Sequence, residues 1–245
     1  MPIASLILTV RRAIRAKLVW ALLASFAVAP GALASPYGDA LNALNRRQYE
    51  DAAQFFGLAI ASNLQPEESL WYRAEIRALQ RRPAEAFADC DRLKQLTPKN
   101  PGSLLARARV AELLGDDAGV ERHLRAAIAQ FPASAQAYNS LAWRLATNPS
   151  PGLRNGREAV RLAQRACALT GNESWSYLDT LASAYAEAGN WPEAIRLQRE
   201  AIEGIKRKIS TGPPGKTLEA MNQRLREFQR SRPYRHVPER EVLIS

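Results

Sequence analysis

Three series of small residues, locked to one another at a near-constant period, constrain this chain more than any other feature. Small residues fall at Ala40, Ala74, Ala108 and Ala142, each 34 residues apart, and again at Ala182. A second series, Ala52, Ala86, Val120, Ala159 and Ala194, trails the first by 12 residues in every unit except the fourth, where Ala142 to Ala159 is 17. A third, Ala59, Leu93, Ala127, Ala166 and Ala201, keeps step with the second. An alanine-rich chain can produce one such series by chance, but hardly three in register. A fixed period of roughly 20 to 50 residues is the mark of stacked repeats.

Each unit reads as two antiparallel helices. Small side chains on both let the backbones approach, while Leu181, Tyr185 and Ile195 of the last unit fall at spacings that place them on apolar helix faces. Gly189 and Asn190 stand where the first helix of that unit must stop, and both tolerate the left-handed conformation of a helix end. Pro98 and Pro132, again 34 apart, punctuate the junctions between units. A single pair cannot cover its own apolar surface, so the units must stack.

The stretch WSYLDTLASAYAEAGNWPEAIRLQREAI resembles the tetratricopeptide repeat, with Leu181, Ala182, Tyr185, Ala194 and Ala201 at signature places. The resemblance implies an all-α fold: a right-handed superhelical solenoid of about five helix-turn-helix repeats with a C-terminal capping helix. Units near 37–66, 67–100, 101–134, 135–174 and 175–208 lie within a repeat domain spanning 35–210, and a capping helix with a basic tail takes 211–245. The second unit departs from the pattern, with Arg73 and Arg77 where large apolar residues are usual, and the first has a degenerate opening helix.

The 17-residue unit contains Thr147-Asn148-Pro149-Ser150-Pro151-Gly152-Leu153-Arg154-Asn155-Gly156, whose two prolines and two glycines predict an ordered loop. A tolerated insertion and a projecting contact for a partner both fit it. Beyond the break Thr211-Gly212-Pro213-Pro214, residues Leu218, Met221, Leu225 and Phe228 form one apolar stripe on a charged helix from Thr217 to Arg230, as a terminal cap requires. The same break mimics the end of a phosphate-binding loop, but Ser210 stands where that loop needs glycine, and no strand precedes it.

The first 34 residues are expected to be a secretory signal peptide. Arg11, Arg12, Arg15 and Lys17 precede the twelve-residue apolar run Leu18 to Ala29 and the small residues up to Ala34, after which cleavage is expected. Twelve apolar residues fall short of the roughly 20 that a spanning helix needs. General secretion to the periplasm or beyond fits better than twin-arginine export, because the residues around Arg11-Arg12 match that signal poorly. Removing this leader lowers the formal charge from +10 to +6. The remaining arginines are scattered, and no basic stripe with stacking aromatics calls for nucleic acid.

Catalytic signatures are missing from the pattern. His123 and His236 lack metal-ligand spacing, and Cys90 and Cys167 sit two repeats apart, too far for a disulfide across helix layers of roughly 10 Å. No cofactor and no metal are expected. In the resembled family the first helices line a concave groove for an extended peptide or a partner's helix. Carried over by matching place, that groove would display Trp71, Glu75, Arg109, Glu112, Asn139, Trp143, Asp179 and Ser183. Tryptophan rings would supply apolar contact area, or else pack between repeats, and Arg109 and Asn139 would hold polar groups of a peptide. The family's carboxylate clamp needs lysine and asparagine where this chain has Tyr37 and Leu41, so recognition of a chaperone tail is not expected. The reading is a non-catalytic interaction scaffold of the bacterial cell envelope that binds a protein or peptide. Two alternatives stay open: a membrane-tethered assembly factor that keeps its N-terminal segment, and an enzyme using acidic groove residues.

Overall fold

A computed structural model describes residues 35–171, 174–208 and 215–236. The expected leader at 1–34, the break at 211–214 and the tail beyond His236 lie outside the described residues.

Eleven helices follow one another, and no strand occurs among the described residues. They are α1 Pro36–Asn45, α2 Tyr49–Ala61, α3 Pro66–Leu79, α4 Pro83–Leu96, α5 Gly102–Leu114, α6 Asp117–Gln130, α7 Ala135–Thr147, α8 Gly156–Leu169, α9 Trp175–Glu187, α10 Trp191–Lys208 and α11 Lys216–Gln229. Each odd-numbered helix from α1 to α9 packs against the even one after it, making five antiparallel pairs, and α11 closes the stack against α10. None of these helices is long and apolar enough to cross a membrane.

Local sequence sets the helix starts. Proline opens α1, α3 and α4, where its missing N–H costs nothing. Side chains of Ser35, Asp116, Ser134 and Asn155 accept from the amides of Gly38, Gly119, Ala137 and Glu158, respectively, in the first turns they cap. Gly115 and Gly189 end α5 and α9 near the left-handed region, with φ of +84° and +80°.

All three small-residue series are buried, none of their members more than 4% exposed. They form the lines along which paired helices touch, so a larger side chain there would push the backbones apart. Cys90 and Cys167 are free and buried. Burial pushes the Cys90 thiol up to about 12 and the Cys167 thiol up to about 11, so neither is a thiolate at neutral pH. A disulfide reagent is expected to leave both untouched in the native protein and to titrate both in denaturant. Fast reaction of either thiol in the folded chain would contradict this packing.

The second pair replaces apolar contacts with charge. Arg73 Nε and Nη2 donate to Asp89 Oδ2 and Oδ1 at 2.9 and 2.7 Å, and Arg77 Nη1 donates to Asp89 Oδ2 at 2.7 Å. The two arginines that broke the repeat pattern therefore reach one buried carboxylate on the opposite helix.

The long turn is stapled to the fold. It contains a short 3-10 helix, Pro151–Leu153, and Arg154 Nη1 donates to the carbonyls of Asn148 and Pro149 at 3.0 and 2.9 Å. Arg154 Nε also donates to Glu187 Oε1 at 2.8 Å, tying the turn to the end of α9. Gly156 closes it against the next repeat: a Cβ there would lie 2.7 Å from Ala188 N and 2.8 Å from Glu187 C. Because those atoms are backbone, Gly156→Ala is expected to cost about 1–3 kcal/mol, read as a lowered urea midpoint.

Candidate protein-binding groove

The concave side opens where the solenoid splays. α3 packs on α5 and α7 packs on α9, whereas α5 and α7 are not close-packed neighbours and join mainly through α6. Leu105, Ala108, Val120 and Leu124 line a cleft of about 260 Å³ there, together with Trp71, Glu75, Arg109, Glu112, Asn139 and Trp143. Six of the eight residues expected to face a groove therefore meet around one cleft.

The cleft is mixed in charge. Arg109 Nη1 donates to Glu112 Oε2 at 2.8 Å, and Arg109 Nε lies 3.7 Å from Glu75 Oε1. The Trp71 indole N–H donates to Glu75 Oε1 at 2.7 Å, which turns the ring edge toward the carboxylate. Arg144 pairs with Asp117 at the base of α6. Asn139 Oδ1 is buried with no hydrogen-bond partner among the described residues. Next to this cleft a second one, of about 500 Å³, shares Trp71, Glu75 and Gln136 and adds Glu67, Glu68 and Tyr72. Glu67 and Glu68 are exposed and form no ion pair with a described residue, so this end of the groove is acidic.

Trp71 and Trp143 take different roles. Trp71 is half-buried, packs against the cores on both sides of it and forms a wall common to both clefts. Trp143 also lines the cleft, but the chain's own C-terminal segment covers its ring. Tyr234 and His236 lie 5.9 and 5.8 Å from it between centroids, and the Arg224 guanidinium sits 5.5 Å over it.

Asp179 and Ser183 are not groove residues, contrary to their place in the repeat. Both are buried, at 7% and 2% exposure, because α11 folds over this part of α9. Arg224 Nε and Nη2 donate to Asp179 Oδ1 and Oδ2 at 2.9 and 2.8 Å, and Gln198 Nε2 donates to Oδ1 at 2.7 Å. Ser183 turns inward and donates to the Asp179 carbonyl at 3.0 Å. The last first-helix position is thus spent on holding the cap. Leu218, Met221 and Phe228 of the apolar stripe are buried as a cap needs, but Arg224 is buried among them, a role its charge concealed in the sequence.

Reasoning from sequence also missed Glu187 and Arg235. Arg235 Nη1 lies 2.8 Å from Glu187 Oε2 as an ion pair whose angle falls short of a hydrogen bond. No local pattern signals a pairing across so many residues.

His123 sits on α6 with its ring 6.4 Å from Phe87, and burial, with Arg107 and Arg122 nearby, pushes its pKa down. Among the described residues no three metal-ligating side chains come together.

Residues 176–214 match the family model for the tetratricopeptide repeat. No curated protein sequence matches the chain. Among solved structures, a thermophilic tetratricopeptide repeat protein from Thermus thermophilus superposes with a TM-score of 0.56 at 18% identity, over 80% of this chain and 96% of that one. MamA protein matches at TM-score 0.46 and 14% identity, over 74% and 96% of the two chains. A tetratricopeptide repeat protein from Parabacteroides merdae matches at 0.48 and 14%, over 79% and 70%. Such proteins are in general scaffolds that bind other proteins. The chain therefore carries a tetratricopeptide repeat at 176–214, and its stacked helix pairs share the fold of the Thermus thermophilus repeat protein.

Proposed function

We propose that the chain is an exported bacterial scaffold that holds an extended, basic stretch of a partner protein along its concave clefts and catalyses nothing itself. The observation that carries this reading is the wall formed by Trp71 and Glu75, shared by two adjoining clefts, beside the carboxylates of Glu67 and Glu68 that no described cation neutralises. A ring that offers apolar area next to open acceptors suits an arginine or lysine side chain, whose stem packs on the ring while its head meets carboxylate. Placement in the envelope is supported by the charge, apolar run and small-residue order of residues 1–34.

The test is capture from a native envelope extract with residues 35–245, beside a Glu67→Lys, Glu68→Lys variant. Both positions are exposed in the first turn of α3, so the reversal costs about 0.3–1 kcal/mol each through the helix dipole and leaves the fold intact. Loss of at least tenfold in partner affinity is expected, with a salt dependence that disappears in the variant. Equal capture by both proteins would sink the basic-peptide reading. N-terminal sequencing of the native protein should begin at Ser35; a chain that keeps residues 1–34 would instead be tethered.

A further inference from the structure

Residues Pro233 to His236, beyond α11, pack back against α7. After α11, Ser231 adopts the left-handed conformation at φ +54° and the chain turns back. Pro233 to His236 then run without helix, yet each is half-buried. The His236 amide donates to the Thr147 carbonyl at 2.8 Å, and Arg235 Nη1 reaches the Ala146 carbonyl at 3.5 Å. Those carbonyls belong to the last turn of α7, which leaves such groups without partners inside the helix. Arg235, paired with Glu187, also sets a cation at the negative end of that helix.

His236 borders a small gap with Glu112, Trp143 and Arg144, and all three also line the main cleft. The described chain stops at that rim. Extended residues advance about 3.3–3.6 Å each, so seven of them span about 24 Å. Trp143 and Trp71 line one cleft of about 260 Å³, so Val237 to Leu243 are long enough to run from the rim at His236 to Trp71. Their composition, VPEREVL, brings both charge signs and apolar side chains to a cleft that has both signs and two tryptophans.

We propose that residues 237–243 fill the cleft between Trp143 and Trp71 of their own chain, as an intramolecular ligand that a partner must displace. This rests on the reading of the cleft as a peptide site. It makes the protein self-occupied at rest, and a partner's apparent affinity is lowered by the fraction of chains whose cleft is closed.

Two variants of residues 35–245 test it: one ending at Arg232, and one in which 237–243 become a glycine-serine stretch of equal length. The second keeps every described contact of Tyr234, Arg235 and His236, so its fold is independent of the question. A fluorescent peptide of residues 232–245 is expected to bind both variants saturably and the parent at least tenfold more weakly. The resonance of the Trp71 indole N–H, which donates to Glu75, is expected to move on the glycine-serine replacement, which leaves residues 232–236 unchanged. An unmoved Trp71 signal, or equal peptide binding by parent and variants, would overturn the proposal. So would a parent that sediments as a dimer and becomes monomeric on replacement, since the segment would then fill a second copy. None of these readouts involves the partner, so retained capture of a partner alongside them would leave the scaffold reading standing.

Discussion

Asp179→Ala is expected to lower the stability of the protein by about 3–5 kcal/mol, measured by urea unfolding, because it strands a buried guanidinium. Arg224 is only 6% exposed and both of its bonds to the carboxylate are lost at once. Gln198, fully buried, loses its acceptor as well and keeps only the Met221 carbonyl at 3.2 Å. Burial pushes the Asp179 carboxyl up, while Arg224 and Gln198 pull it down, so the cluster is a balance of opposing costs. The pair is therefore worth far less than the damage done by breaking it. Asp179→Leu with Arg224→Met should recover most of the loss, as apolar replacement of buried ion pairs often does. A single variant that unfolds at the parental midpoint would show that α11 is not held through this contact.

The second large effect is expected at the other buried carboxylate. Asp89→Ala leaves Arg73, 8% exposed, and Arg77 facing each other without their shared counter-charge, and should also cost about 3–5 kcal/mol. Arg77 retains Glu85, 3.4 Å from its Nε, but Arg73 has no other ion-pair partner among the described residues. Replacing Arg73 and Asp89 together by leucine puts an apolar pair between α3 and α4 in place of the buried ion pair, and should hold stability near the parental value. If the double variant were as damaged as Asp89→Ala, the charged cluster would be specifying the pairing of α3 with α4 rather than merely filling it. Because the units stack in one dimension, the two defects should add, one near each end of the solenoid.

The groove was partly legible. Trp71, Glu75, Arg109, Glu112, Asn139 and Trp143 could be picked because the resemblance to the tetratricopeptide repeat implies groove places on the first helices, and these six stand at such places. The same carry-over selected Asp179 and Ser183, and there it failed. A matching place describes a helix within its own repeat and carries no information about an element arriving from 45 residues further on, as Arg224 does. Arg73 and Arg77 failed in the opposite sense: they looked like departures from the pattern until Asp89, 16 residues from Arg73, supplied the missing charge. The long turn was recognisable as ordered from its prolines, but its attachment through Arg154 to Glu187 was not.

What the sequence by itself determined was the architecture. Small residues locked in three series admit one solution, close-packed helix pairs stacked end to end, because only a stack buries the apolar face that each pair leaves open. Contacts of that kind are local, and locality is what a periodic pattern encodes. What the tertiary structure alone decided was which concave positions stay open. α11 and the segment after it return to the repeats they followed, and they seal Asp179 and Ser183 and cover Trp143, while Trp71 still faces the clefts. Those pairings depend on where a turn points the chain in space, and no spacing along the sequence records that direction.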